Sequence, residues 1–296
     1  MSIGTVVPHM TEDRAPLSDE ALEDIAFLSR SRNRIEILEA VVSRPRSPRE
    51  IAEATGSARS TLERILGELE ERGWAERTPE GKYEGTAAGE FVVDEFTPLV
   101  DAMEALRNLG DTVSWLPRDE LSISISHFSD AVVRRPDDPA EVLDYMIEVL
   151  RATDNFRSIS HLIPPESPAS AIHDEVAAGR MTMDYVITED VIRFLSSHPE
   201  RRERWVQTIE SGADLWAWED PIPCNLWIFD DTVWIKKSRP GSIKDAYAAP
   251  IISDDDMVRS WAHDLIDRYR DAATPVDVEA FSEKSPVAPR ESGGES

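Results

Sequence analysis

A chain of 296 residues, 41% of them hydrophobic, has material for two domains of about 100–150 residues each and excludes wholesale disorder. A single cysteine, Cys224, excludes an internal disulfide framework and a multi-cysteine zinc site, and no apolar run approaches the ~20 residues of a membrane span. A formal net charge of -26, with five lysines against 27 arginines, suits a protein dissolved in concentrated salt, where the Debye length falls to about 3 Å at 1 M; an ordinary acidic cytosolic protein is the alternative.

Residues 1–17, including "MSIGTVVPHMTEDRAP", show no periodicity and no signal-peptide pattern, so they read as a loose arm of a cytoplasmic protein. From Leu22 to Val42 apolar residues recur at helical spacing, broken by "SRSRNR", which predicts a short helix followed by a main one ending at "SRPRSP". Ser47, Pro48 and Glu50 form a capping box for the next helix, and Gly56 supplies its turn. A further helix to about Arg72 carries one apolar stripe, Leu62, Ile65, Leu66 and Leu69; Ala58 stands at its cap position, with Ser57 as the substitute cap. "WAERT" and "KYEGT" flank Pro79-Glu80-Gly81 and predict a β-hairpin. In this order, with short connections, residues 18–86 read as a winged helix-turn-helix.

Thr86 caps a long helix through about Leu109, which together with the following turn occupies 87–112. Val92, Phe96, Leu99, Met103 and Leu106 alternate spacings of four and three, a heptad seam expected to form a homodimer contact; packing of the seam on its own winged domain is the alternative. Residues 113–273 alternate helices and strands: "DPAEVLDYMIEVLRA", "FRSISHLI", "SPASAIHDEVAAG", "MTMDYVITE", two helical stretches before Gly212, "DLWAWE", a hairpin "NLWIF-DD-TVWIKKS", "YAAPII", and a helix capped by Ser253 with Asp256. Residues 274–296 read as a disordered tail. The predicted fold class is thus an α+β N-terminal winged helix-turn-helix followed by an α/β mixed-sheet effector domain.

With the stripe of the third helix turned inward, Ser60, Glu63, Arg64 and Gly67 face outward, and Arg59 and Thr61 lie at its N-terminal end, where side chains reach bases or phosphates. Arg49 is placed for a backbone contact, and Arg77 and Lys82 sit on the wing. Between Arg30 and Lys82, 11 Lys and Arg stand against 10 Asp and Glu, a net of +1, so the remaining residues carry -27. The one segment that escapes the acidity is the one that looks like a DNA reader, although Glu63, Glu68, Glu70 and Glu71 add negative charge to its helix.

The stretches "LEDIAFLSRSRNRIEILEAV" and "TLERILGELEERGW" resemble the winged-helix regulators of haloarchaea, related to the arsenic-repressor type, over residues 20–110. "WLPRDEL" and "IPCNLWIFDDTVWI" resemble the effector domain of methanogenesis-type archaeal regulators, over residues 113–273. The resemblance implies a transcriptional regulator whose second domain senses an effector or holds a dimer together; it supplies no ligand.

No Gly-x-Ser-x-Gly elbow, P-loop, Gly-x-Gly-x-x-Gly or His-Glu-x-x-His is present, so no catalytic role, cofactor or metal is expected. Asp254-Asp255-Asp256 reads as the first turn of a helix and Asp230-Asp231 as a hairpin turn, ahead of metal sites. Cys224 reads as a buried structural thiol. Trp216, Trp218, Asn225 and Trp227 are the candidate effector pocket, a tryptophan-rich core being the alternative. The expected partners are double-stranded DNA, a second copy of the chain and an unidentified small-molecule effector, with no membrane; the rival is a winged-helix protein that docks on transcription machinery without touching DNA.

Overall fold

The computed structural model describes residues 18–134, 139–236 and 250–281. The expected arm at 1–17, residues 282–296 of the expected tail and the start of "YAAPII" lie outside them. Residues 274–281 are ordered, against the expectation of a disordered tail from 274: Thr274 and Pro275 pair with the sheet edge, and Val276 and Phe281 are buried in its core. Two units make up the chain, Met1–Pro98 and Leu99–Ser296. The division falls inside the long helix, at a proline, where the sequence reading placed edges at 86 and 112.

The first unit contains α1 (Asp19–Ser29), α2 (Arg32–Ser43), α3 (Pro48–Thr55), α4 (Arg59–Glu71), β1 (Ala75–Arg77), β2 (Tyr83–Gly85) and the start of α5 (Ala87–Leu109). The capping box of α3 forms: the Ser47 hydroxyl accepts from the Glu50 amide at 3.3 Å, and the Glu50 carboxylate accepts from the Ser47 amide at 2.8 Å. Gly56 ends α3 at φ 65°, a left-handed conformation that a side chain would strain. Leu62, Ile65, Leu66 and Leu69 of α4 are buried with Ile37 and Leu38 of α2 and Ile51 of α3. The substitute cap does not form. Ala58 occupies the N-cap without a side-chain bond, and Ser57 is buried, accepting from the Thr55 hydroxyl at 2.9 Å.

β1 and β2 pair antiparallel from Ala75↔Gly85 to Arg77↔Tyr83, and Arg46 adds a backbone bridge to Tyr83. Thr86 caps α5, its hydroxyl accepting from the Gly89 amide at 3.1 Å. Gly89 lies against the backbone of Trp74.

The second unit is an eight-stranded mixed sheet of order β10-β6-β5-β4-β7-β8-β9-β3. Its strands are β3 (Val132–Val133), β4 (Asn155–Ser160), β5 (Thr182–Thr188), β6 (Asp214–Trp218), β7 (Asn225–Phe229), β8 (Thr232–Lys236), β9 (Ile251–Ser253) and β10 (Thr274–Pro275). β4, β5 and β6 are parallel, linked through α7 (Glu166–Ala177) and then α8 (Glu189–Ser196) and α9 (Pro199–Glu210); the other pairings are antiparallel. Alternation divides the side chains. Phe156, Tyr185, Trp227, Phe229 and Trp234 join a core with α6 (Pro139–Arg151), α7, α8 and α9. Ile159, Val186, Leu226, Ile228 and Val233 join one with Ala105 and Leu109 of α5 and with α10 (Asp256–Ala272).

The cap of α10 is Asp255, which accepts from the Met257 and Val258 amides at 2.8 and 2.9 Å, in place of the expected Ser253–Asp256 pair. Asp230 takes the turn of the β7–β8 hairpin at φ 51°, and its carboxylate accepts from the Asp154 and Asn155 amides. Cys224 is fully buried, and burial, with Glu120 nearby, pushes its thiol up to about 12. Glu120, from "WLPRDEL", accepts from the Tyr269 hydroxyl at 2.9 Å and pairs with Arg268, while its carbonyl accepts from the Trp261 indole.

Two outcomes follow from this packing. A Cβ at Gly89 would sit 2.0 Å from the Trp74 carbonyl oxygen, so Gly89→Ala is expected to destabilise the winged-helix unit by about 2 kcal/mol or more, read by circular-dichroism melting. Lys236 is fully buried, and burial pushes its ammonium down to about 7. The unfolded lysine holds its proton to about 10, so the folded state binds fewer protons between those values. The cost of burying Lys236 is therefore absent above about pH 10, grows as pH falls and levels off below about 7. Denaturant unfolding should show Lys236→Met gaining on wild type across that window, by on the order of a few kcal/mol at its lower end.

Candidate nucleic-acid interface

Burial of one face of α4 leaves Arg59, Ser60, Glu63 and Arg64 exposed on the other, with Thr61 and Gly67 half-buried. Arg49 is exposed on α3, and Arg77 and Lys82 are exposed on the hairpin. The wing turns at Gly81, φ 81°, with the Thr78 amide donating to the Lys82 carbonyl at 2.8 Å. The Ser47 amide and hydroxyl hold the Glu50 carboxyl below its usual range, and Lys82 and Arg44 lie close enough to lower it further. The backbone bridge from Arg46 to Tyr83 sets the second wing strand beside the residues that lead into α3.

Three of the candidate arginines carry a carboxylate partner one turn along. Arg49 pairs with Glu53 at 2.8 Å, Arg59 with Glu63 at 2.9 Å and Arg64 with Glu68 at 2.8 Å. The first two pairs are largely exposed and hold loosely, since pairs in water are worth about 0–1 kcal/mol. Glu68 differs. It also meets Arg34 at 3.3 Å, and Arg34 is buried, donating to the Phe27 carbonyl at 2.7 Å with its guanidinium 4.1 Å from the Phe27 ring. Burial lowers the Arg34 pKa, with Glu68 acting against that shift. Arg72 lies 4.0 Å from the same ring and pairs with Asp24 at 3.1 Å. Arg77 lies over the Tyr83 ring at 5.8 Å.

Sequence reasoning missed Arg44, which it absorbed into the helix stop "SRPRSP", and the structural use of Arg34 and Arg72. No local pattern marks Arg44, because its proximity to Glu50 arises only in the folded unit. Arg34 carries no local signal, because its partners come from α1 and α4.

The five seam residues divide. Phe96 is 9% exposed in the winged-helix core, with Val92 packed partly against it. Leu99, Met103 and Leu106 are 43%, 54% and 42% exposed. Pro98 stands between the two groups.

The four candidate pocket residues also separate, onto opposite faces of the sheet. Trp216 and Trp218 lie on the α10 face. The Trp216 indole donates to Asp184 at 3.0 Å, and Trp218 meets the Tyr269 ring edge-on at 5.0 Å. Asn225 and Trp227 lie on the α6–α7 face, where the Asn225 oxygen accepts from the Ser160 hydroxyl at 2.9 Å and the His161 amide at 3.0 Å. Lys236 Nζ is 5.3 Å from the Trp227 ring. Trp227 lines an apolar cleft on that face between α6, α7 and the strands. The tetrad is not one pocket. Among the described residues no group of three or more His, Cys, Asp or Glu side chains is placed to hold a metal ion, and no helix is long and apolar enough to cross a membrane.

Residues 22–108 match the family described as the HVO_A0261 N-terminal domain, and residues 139–272 match that described as the methanogenesis regulatory protein FilR1, middle domain. No curated protein matches the chain by sequence. Among solved structures it is similar to TrmBL2, an archaeal chromatin protein showing a novel mode of DNA binding, at 15% identity and a TM-score of 0.36 over 88% of this chain and 100% of that one. It is similar to the dimethyltransferase RosA from Streptomyces davawensis, at 15% identity and a TM-score of 0.24 over 68% of this chain and 64% of that one. A putative IclR-family transcriptional regulator from Rhodococcus sp. is 11% identical, with a TM-score of 0.18 over 92% of this chain and 100% of that one. None of these structural likenesses is close enough to carry a function.

Proposed function

We propose that this chain, a haloarchaeal-type transcription regulator by the two domains it matches, reads promoter DNA with its winged helix, while its mixed-sheet domain senses an effector or dimerises. The observation that carries the DNA reading is the two-faced α4. Its apolar stripe is wholly buried, and Arg59, Ser60 and Arg64 are presented to solvent beside the exposed basic groups of α3 and the wing. Arg59, Thr61 and Arg64 approach bases or phosphates, and Arg49, Arg77 and Lys82 hold the backbone. Binding exchanges Glu53 and Glu63 for phosphate, at little cost because those pairs are exposed. The regulator domains support a role without catalysis.

The pairing of Arg49, Arg59 and Arg64 with glutamates favours the second reading, a winged helix that docks on transcription machinery without touching DNA. Binding to the chain's own upstream DNA, measured at molar KCl beside random DNA, separates the two. Arg59→Ala and Arg64→Ala should each cost about 1–3 kcal/mol on the specific site if they read bases. No DNA binding at any salt, with the fold intact by circular dichroism, selects docking.

For the homodimer, the exposed strip Leu99, Met103 and Leu106 is the contact. Met103→Glu with Leu106→Glu should give monomers by light scattering and leave the helical signal unchanged. Phe96→Glu should instead unfold the winged-helix unit, because that side chain belongs to its core.

A further inference from the structure

We propose that Arg64 reads a guanine in the major groove through the Nε–Nη2 edge of its guanidinium, and that Glu68 is the positioning residue that holds that edge in place. The contact presupposes the DNA reading above and adds which of the exposed arginines carries sequence information.

Arg49, Arg59 and Arg64 each meet a glutamate one turn along, but through different atoms. Arg49 and Arg59 donate through Nε, to Glu53 at 2.8 Å and to Glu63 at 2.9 Å. Arg64 donates through Nη1, to both carboxylate oxygens of Glu68, at 2.9 and 2.8 Å. A planar guanidinium presents parallel donor pairs along its edges, and Nε with Nη2 make one such pair. In Arg49 and Arg59 the glutamate occupies that edge. In Arg64, among the described residues, the edge is open, on a side chain that is exposed.

The anchors differ too. Glu53 and Glu63 are exposed, whereas Glu68 is half-buried. Its Oε2 also accepts from Arg34 Nη2 at 3.3 Å, and Arg34 is buried, with Nη1 donating to the Phe27 carbonyl at 2.7 Å. Contacts therefore run unbroken from the α1 backbone through Arg34 and Glu68 to Arg64. Concentrated salt screens exposed pairs strongly and partly buried ones much less, so this line of contacts outlasts the other two pairs. A long side chain ordered before binding loses less freedom when it binds.

The open edge decides the base. Guanine sets two acceptors, N7 and O6, side by side on its major-groove edge, whereas adenine sets a donor beside N7. Two parallel donors match the first and oppose the second. A phosphate also accepts such a pair, but it needs only a charge within reach, which a lysine supplies equally well.

The full chain is first used to select its site from a randomised duplex. The selected duplex, versions with each G·C pair changed in turn to A·T, and a scrambled duplex are then titrated by fluorescence anisotropy. Wild type should show a G·C pair whose exchange weakens binding about ten-fold or more. Arg64→Lys should lose that dependence and keep its affinity for the scrambled duplex. Glu68→Gln should cut the dependence about three-fold, yet bind the scrambled duplex at least as well as wild type, since a negative charge is gone. A purely structural role would weaken both duplexes alike and a pure charge effect would strengthen both alike, so either result overturns the positioning role. Glu68→Asp keeps the charge beside Arg34 but draws the carboxylate back from Arg64, and it carries this arm should Glu68→Gln fail to fold by circular dichroism. A G·C dependence that survives Arg64→Lys, or none in wild type, overturns the guanine contact and leaves DNA binding standing. Absence of binding to any duplex by the folded wild type overturns the DNA reading and the guanine contact together.

Discussion

The apolar stripe of α4 is the constraint from which the first unit is built. Leu62, Ile65, Leu66 and Leu69 are each at most 1% exposed, held against α2 and α3. Burying four such side chains fixes the rotation of the helix, because turning it would exchange leucine for arginine in the core. The outward position of Arg59, Ser60 and Arg64 is thus a by-product of packing. The same core draws in Trp74 before β1 and Phe96 of α5, so the wing and the first part of α5 are set by the contact that sets α4.

Electrostatics works on that frame at two depths. At the surface, arginines answered by glutamates one turn on make a face that is close to neutral in a strongly acidic chain. Deeper, Arg34 and Arg72 flank the Phe27 ring and tie α1, α2 and α4 together through Glu68 and Asp24. Glu68 belongs to both depths, so Arg64 is more firmly held than Arg49 or Arg59. In the second unit Arg157 plays the corresponding part, bridging Asp184 at 2.8 Å and Asp267 at 2.6 Å beside His263.

What was legible in the sequence is what is local. The capping box, the glycine turn and the α4 stripe involve residues three or four apart, and each is present as read. Alternation likewise put Trp216 and Trp218 on one face of their strand. It could not tell which face of β7 would match, because that depends on register through β5 and β4, and Asn225 and Trp227 came out on the other side. Caps chosen among neighbouring polar residues were also misread: Asp255 rather than Ser253 starts α10, and nothing local favours one over the other. The strands β3 and β10 are two residues long, too short for any period. The seam of α5 was legible as a pattern, but one pattern served two purposes, burial for Phe96 and exposure for Leu99, Met103 and Leu106.

The span of sequence over which each unit closes has a consequence for synthesis. Every core contact of the winged helix lies within the first 98 residues, including the hydrogen bond from Thr97 to Glu39. The second unit is different: Glu120 waits for Tyr269, 149 positions later, and β6 gains its neighbour β10 only at Thr274. On the ribosome the winged helix can therefore close while its companion is still an open sheet with an unpaired edge. The order of translation delivers the winged-helix unit complete, ahead of a sheet that closes only with its last strand.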